Sequence, residues 1–310
     1  MSQRTNSILI GAASLVAIVM LALAAGCTGS GTTGVTTPGT IAADDAPGSK
    51  IPATAGQRQK ITVSGSTTVL PIVQNAADVY LKTHPNADIQ ISGGGSGVGI
   101  KSIGAKTVDI GMSSRDVTKD ELAKYPDLVI TTVAQDGIAI VVNPENEIPH
   151  ITLAQIQDIY LGKITRWTEI NGANVAGTNN QIVVIGRDSA SGTRVYFDED
   201  LLEKQTPTKT MLEKNSNGAV LQTVAQTPGA IGYVSIGFIS NDVKAVPIWY
   251  NDQKIVAPSL ENVKSHDYPV YRNLYVITNG NPAGLAGDFI DYMLSPEGQT
   301  LVAAEGYVTV

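Results

Sequence analysis

Three short loops rich in glycine and hydroxyl side chains constrain this chain more than any other feature. SGSTT (64–68), SGGGSG (92–97) and SASGT (189–193) each follow a β-rich run and precede a run with helical spacing. Loops placed this way imply an α/β architecture, with strands feeding helices through glycine-permissive turns. They also imply chemistry. The first N–H groups of a helix lack intrahelical partners and carry partial positive charge, and a Ser or Thr cap adds a hydroxyl donor. One such loop is an ordinary capped turn; three in one chain point to an anion site.

The flanking runs fit that architecture. KITVSG (60–65), ADIQISGG (87–94), TVDIGMSS (107–114), GIAIVVNP (137–144), QIVVIGR (181–187) and NLYVITNG (273–280) are strand-like. TTVLPIVQNAADVYLKTHP (67–85) has helical spacing and stops at Pro85; VGIKSIGAKTV (98–108), the first ten residues of 152–167, and VYFDEDLLEK (195–204) are further helices. The tail 282–307 holds one or two more. Apolar residues make up 43% of 310, enough for one large or two medium cores. The net charge is −7 with no basic run, which excludes bulk phosphate neutralisation and so a nucleic-acid partner.

The first 27 residues are an address rather than part of the fold. Arg4 is followed by an apolar run (8–26) ending in small residues at Cys27, as in a secretory signal. LAAGC (23–27) resembles a lipoprotein lipobox, with Ala24 where leucine is commoner; the resemblance implies lipidation of Cys27. The alternative is an uncleaved anchor, since about 19 apolar residues just span a bilayer. Either places the body outside the cytoplasm, on the outer face of the cytoplasmic membrane. Cys27 is the only cysteine, so one copy forms no disulfide. Residues 28–59, rich in Thr, Gly, Ala and Pro, read as a flexible tether.

GRDSASGTR (186–194) offers either a nucleophile or a set of donors. The phosphate fingerprints fail: Ile100 breaks the Gly-Lys order of a P-loop in GGGSGVGIKS, and Val98 breaks a nucleophile elbow around Ser96. DSA (188–190) is similar to the nucleophile segment of alkaline phosphatases, but that chemistry needs His and Asp metal ligands. Only His84, His150 and His266 exist, none at ligand spacing. The expectation is a binder, not an enzyme, with no metal and no cofactor; a phosphohydrolase is the minor alternative.

GSTTVLP (65–71), GGGSGVG (93–99), VDIGMSSRDV (108–117), IYLGKITRW (159–167), GRDSASGTR and PGAIGYV (228–234) together resemble the substrate-binding proteins of phosphate ABC transporters, across residues 60–310. The resemblance implies a two-lobed, hinged periplasmic-binding-protein fold (type II), each lobe a mixed sheet flanked by helices. Lobe I is expected at 60–134 plus 272–310 and lobe II at 135–271. It implies a monomeric receptor, anchored through its lipid, that binds inorganic phosphate and delivers it to permease subunits. Its implied ligands are Thr67 and Thr68, Ser96, the acid Asp109, then Arg187, Ser191, Gly192 and Thr193. Asp109 would accept the proton that phosphate keeps and sulfate lacks. The family's aspartate two residues after the arginine is Ser189 here, with Asp188 one place earlier, which leaves the support of Arg187 to the fold. Three helix starts at about +0.5 each and the arginine sum to roughly +2.5, near balance with a dianion plus Asp109. Sulfate, molybdate or tungstate on the same fold is the alternative ligand class.

Overall fold

The structure is a computed structural model that describes residues 58–170, 173–175, 178–250 and 254–310. The expected signal, Cys27 and the tether up to residue 57 lie outside the described residues. Among the described residues no helix is long and apolar enough to cross a membrane.

Twelve strands and nine α-helices make up the described chain. The strands are β1 (Gln59–Gly65), β2 (Ala87–Ser92), β3 (Ile110–Ser113), β4 (Leu128–Val142), β5 (Ile151–Thr152), β6 (Val183–Arg187), β7 (Leu212–Lys214), β8 (Ala230–Ser235), β9 (Lys244–Ala245), β10 (Ile248–Tyr250), β11 (Lys254–Val256) and β12 (Tyr271–Asn279). The helices are α1 (Leu70–Thr83), α2 (Ser96–Gly104), α3 (Lys119–Lys124), α4 (Leu153–Tyr160), α5 (Gly192–Tyr196), α6 (Asn217–Gln226), α7 (Leu260–Lys264), α8 (Gly284–Leu294) and α9 (Pro296–Ala304).

The main sheet runs β2-β1-β3-β12-β4-β8-β6-β7, with β9 also on β4; β11-β10-β5 form a small second sheet. Strand β4 joins two halves. Its residues up to Gly137 pair antiparallel with β12, and Ile138 to Val142 pair antiparallel with β8. Each side has its own apolar core. Val133 and Ala134 belong with β1, α1, β12 and α8 residues such as Val63, Val73, Val276 and Phe289. Ile138 to Val142 belong with Trp167, Ile185, Phe197 and Tyr233. Asp136 and Gly137 stand at the changeover, and a Cβ on Gly137 would come within 2.6 Å of Val263 Cγ2. Two cores joined through the sheet are the two lobes of the expected α/β fold.

Two elements differ from the sequence reading. The strand expected at 137–144 is the second half of a 15-residue strand. Its first half, LVITTVAQD, is only partly buried and carries polar residues, so it lacks the look of a buried run. The helix expected from Val195 starts at Gly192, because the Ser191 hydroxyl accepts from the Arg194 N–H and caps it.

Parallel strands place the loops. β1 is parallel to β2 and β3, and β6 is parallel to β7 and β8. The carboxyl ends of β1, β2 and β3 thus lie at one edge, as do those of β6, β7 and β8. Ligands of open α/β sheets sit at such edges.

Candidate anion-binding site

The first loop leaves β1 at Gly65. Ser66 Oγ accepts the Thr68 N–H at 3.2 Å and the Val69 N–H at 3.4 Å, so the turn leading into α1 is held by Ser66. The hydroxyls of Thr67 and Thr68 are thereby free for other partners. The second loop starts α2 at Ser96, whose Oγ accepts the Ser114 N–H at 2.9 Å and lies 3.2 Å from Ser114 Oγ. Ser96 and Ser114 are both fully buried.

The third loop comes from the other lobe and closes on the first two. Gly97 donates its N–H to Ala190 O at 3.0 Å. Gly192 packs so tightly on Ser96 and Ser114 that a Cβ there would overlap the Ser96 hydroxyl. That close approach is what requires glycine at 192. Thr193 Oγ1 lies 3.3 Å from Thr68 Oγ1, and Arg187 Nη2 donates to Thr67 Oγ1 at 3.1 Å. Seven of the eight expected ligand positions, Thr67, Thr68, Ser96, Arg187, Ser191, Gly192 and Thr193, therefore meet at one place.

Asp109 is the exception and corrects the sequence reading. It is exposed, and its Oδ2 accepts from Thr62 N at 2.7 Å and from Thr62 Oγ1 at 2.9 Å. The reason is topological. Asp109 precedes β3, so it sits at the amino end of a strand parallel to β1, beside Thr62 rather than Gly65. Three residues of strand put it roughly 10 Å from the loop edge. Ser114, which follows β3, is the residue delivered to the cluster instead.

The support of Arg187, left to the fold by the sequence, comes from carbonyls. Its Nε donates to Lys214 O at 3.2 Å, on the last residue of β7, and its Nη2 to Asn215 O at 3.3 Å, one residue past it. Asp188 shapes the loop instead, its Oδ1 accepting the Ala190 N–H at 3.1 Å. Arg194 braces the strand end through Arg187 O at 2.6 Å while paired with Asp198 and Glu213. Arg187 is 1% exposed, forms no salt bridge among the described residues, and its Nη1 is buried without a hydrogen-bond partner. Burial pushes its guanidinium down to about 10.

Three polar residues at the same place escaped the sequence reading. Arg272, 5% exposed, is held by Asp136 through Nη2 at 2.8 Å and Nε at 3.1 Å, and its Nη2 lies 3.4 Å from Thr68 Oγ1. Asn217, fully buried at the start of α6, donates from Nδ2 to Thr68 Oγ1 at 2.9 Å. Asp136 also accepts from Ser235 Oγ at 2.6 Å. Burial pushes the Asp136 carboxyl up against the opposing pull of Arg272 and Ser235. A lone Asp and a lone Arg on two strands 136 positions apart carry no motif; only a polar residue inside an otherwise apolar strand could have marked them.

Trp167 is buried in the second core with Nε1 on Gly229 O at 2.9 Å. His84 ends α1 and stacks on Tyr80. Among the described residues no group of three His, Cys, Asp or Glu is placed to hold a metal ion.

A family model described as the PBP superfamily domain matches residues 50–297. The phosphate-binding protein PstS of Bacillus subtilis is 34% identical over 252 residues, covering 81% of this chain and 80% of that protein. The chain belongs to the PstS family of phosphate-binding proteins. The PstS protein of Borreliella burgdorferi is 30% identical, covering 81% of this chain and 90% of the relative. A crystal structure with bound phosphate from Clostridium perfringens superposes with a TM-score of 0.74 at 34% identity, covering 81% of this chain and 100% of that one. An ABC-type phosphate transport receptor from Vibrio cholerae gives a TM-score of 0.66 at 31% identity, with 81% and 100% covered. In this PstS-family chain the polar cluster lies between the lobes, at the carboxyl ends of strands from both.

Proposed function

We propose that this protein is an extracytoplasmic receptor that closes its two lobes over one inorganic phosphate and delivers it to an ABC permease. The observation that carries the reading is Arg187: a guanidinium 1% exposed, held by carbonyls, with no carboxylate and one unpartnered nitrogen. An uncompensated buried charge costs several kcal/mol, which a bound anion offsets. Thr67, Thr68, Ser96, Ser191, Gly192 and Thr193 are the accompanying ligands, with Ser114 taking the position the sequence gave to Asp109. These donors and Arg187 hold the anion without chemistry, so the protein is a receptor and not a catalyst. Micromolar affinity corresponds to about 8 kcal/mol, within reach of a few charge-assisted hydrogen bonds of about 1.5–3 kcal/mol each.

Asp109 lies away from the cluster, so the carboxylate argument against sulfate no longer applies, and sulfate belongs in the test. Titration calorimetry at neutral pH against phosphate, sulfate and molybdate is expected to give saturable one-to-one phosphate binding at micromolar affinity or tighter. Absence of phosphate binding overturns the reading, and tighter binding of sulfate or molybdate moves the chain to that ligand. Anchoring through a lipid on Cys27 is part of the same proposal. Cys27→Ser is expected to shift the protein from the membrane fraction to the soluble fraction, and unchanged membrane attachment removes the lipid anchor.

A further inference from the structure

Five residues close a hydrogen-bonded ring beneath the anion cluster. Asn217 Nδ2 donates to Thr68 Oγ1 at 2.9 Å, and Asn217 Oδ1 accepts the Ser235 N–H at 3.3 Å. Ser235 Oγ donates to Asp136 Oδ1 at 2.6 Å, and Asp136 Oδ2 accepts from Arg272 Nη2 at 2.8 Å. Arg272 Nη2 returns to Thr68 Oγ1 at 3.4 Å. Every member is at least nine-tenths buried.

The ring has a direction. Ser235 N–H is a donor only, so the Asn217 amide presents its oxygen there and its NH2 to Thr68. Arginine is also a donor only. A hydroxyl has two acceptor sites and one proton, and the two donors occupy both acceptor sites of Thr68. Thr68 therefore has only its proton left to offer. Its neighbour is Thr193 Oγ1 at 3.3 Å, on the arginine loop of the other lobe. With both acceptor sites of Thr68 taken, Thr193 has nothing on Thr68 to donate to, so the anion is the common acceptor toward which both hydroxyl protons turn.

We propose that Asn217 and Arg272 are positioning residues that fix the Thr68 and Thr193 hydroxyls as donors toward the bound anion. The proposal rests on the phosphate-receptor reading above. It also links recognition to closure. Thr68 and Asn217 belong to different lobes, so their bond exists only when the lobes meet, while Asp136 and Arg272 hold their place on β4 and β12 where the chain crosses between lobes. An open receptor leaves Thr68 free to turn; a closed one has both hydroxyl protons committed.

A double-mutant cycle tests this, because a residue acting through Thr68 has no effect once the hydroxyl is gone. Phosphate affinity is measured by calorimetry on wild type, Asn217→Ala, Thr68→Val and the double variant. Asn217→Ala is expected to weaken binding about tenfold, Thr68→Val by at least as much, and the double variant no more than Thr68→Val alone. Thr68→Ser, which keeps the hydroxyl, is expected to stay within about threefold of wild type. Additive losses, or unchanged affinity in Asn217→Ala, overturn the proposal. If Asn217→Ala does not fold by circular dichroism, Arg272→Lys replaces it, with the same expected non-additivity against Thr68→Val. Wild type that binds no phosphate defeats the receptor reading itself; wild type that binds with additive variants defeats only this inference.

Discussion

Two buried guanidiniums stand on either side of the Thr67–Thr68 pair, and they are treated differently. Arg187, at the end of β6, touches only carbonyls and the Thr67 hydroxyl. Arg272, at the start of β12, is gripped by the Asp136 carboxylate from the strand paired with it. The first positive charge is left uncompensated, and the second is neutralised. A binding site that must release its ligand gains by this division. In the receptor proposed above, one open charge would attract the anion, while a second open charge at the same depth would raise the cost of the empty state and slow release.

The sharpest way to break the comparison is to remove each arginine's distinctive feature. Arg187→Ala is expected to weaken phosphate binding at least about a hundredfold, since more than one charge-assisted contact is lost. The unliganded protein should melt no lower than wild type, because an uncompensated buried cation has gone. Calorimetry and thermal denaturation read the two halves, and a large drop in Tm would mean that Arg187 is structural.

Asp136→Ala should do the reverse. Leaving Arg272 buried without its partner is expected to cost about 3–5 kcal/mol of stability by denaturant titration. A loss below about 1 kcal/mol would show that the pair is not a structural clamp.

A smaller effect comes from pH. The Arg187 guanidinium titrates at about 10 in the folded, unliganded chain, below the ordinary arginine value because it is buried. An anion favours the charged form. Phosphate affinity is therefore full below that pH and declines as pH rises through it. Over the same interval the unfolded chain holds more protons than the folded one, so the stability of the empty protein rises by this contribution. Affinity measured from pH 8 to 10.5 checks the sign, and a flat profile would mean that Arg187 is not the anion's cation.

The smallest effect belongs to Asp109→Asn. With its carboxylate on Thr62 and outside the cluster, the change should leave the phosphate-to-sulfate affinity ratio within about twofold, a few tenths of a kcal/mol. A collapse of that ratio would return Asp109 to the site.

Most of the architecture was legible because it rests on local signals. Glycine and hydroxyl residues between a period-2 run and a helical run mark a strand, a turn and a helix start in nearly adjacent positions. The loops at 64–68, 92–97 and 189–193 are of that kind, and their residues do converge. What stayed hidden depends on contacts between distant segments. The first half of β4 has no clear alternation, and its identity as a strand comes from pairing with β12 more than 130 residues later.

The sequence by itself determined the α/β class and which loops carry donors, because propensity, capping and hydrophobic period are properties of neighbours in the chain; the two lobes came only through the family resemblance. Only the tertiary structure decided which end of β3 faces the polar cluster, and hence that Ser114 and not Asp109 arrives there. Only it paired Asp136 with Arg272 and brought Asn217 onto Thr68. In GRDSASGTR the residues on offer were plain, but Lys214 O and Asn215 O hold the arginine, and strand order alone places them. The physical reason is that strand direction and register are set by long-range pairing. A residue's neighbours in the chain report its backbone preference, whereas its neighbours in space report its charge partner.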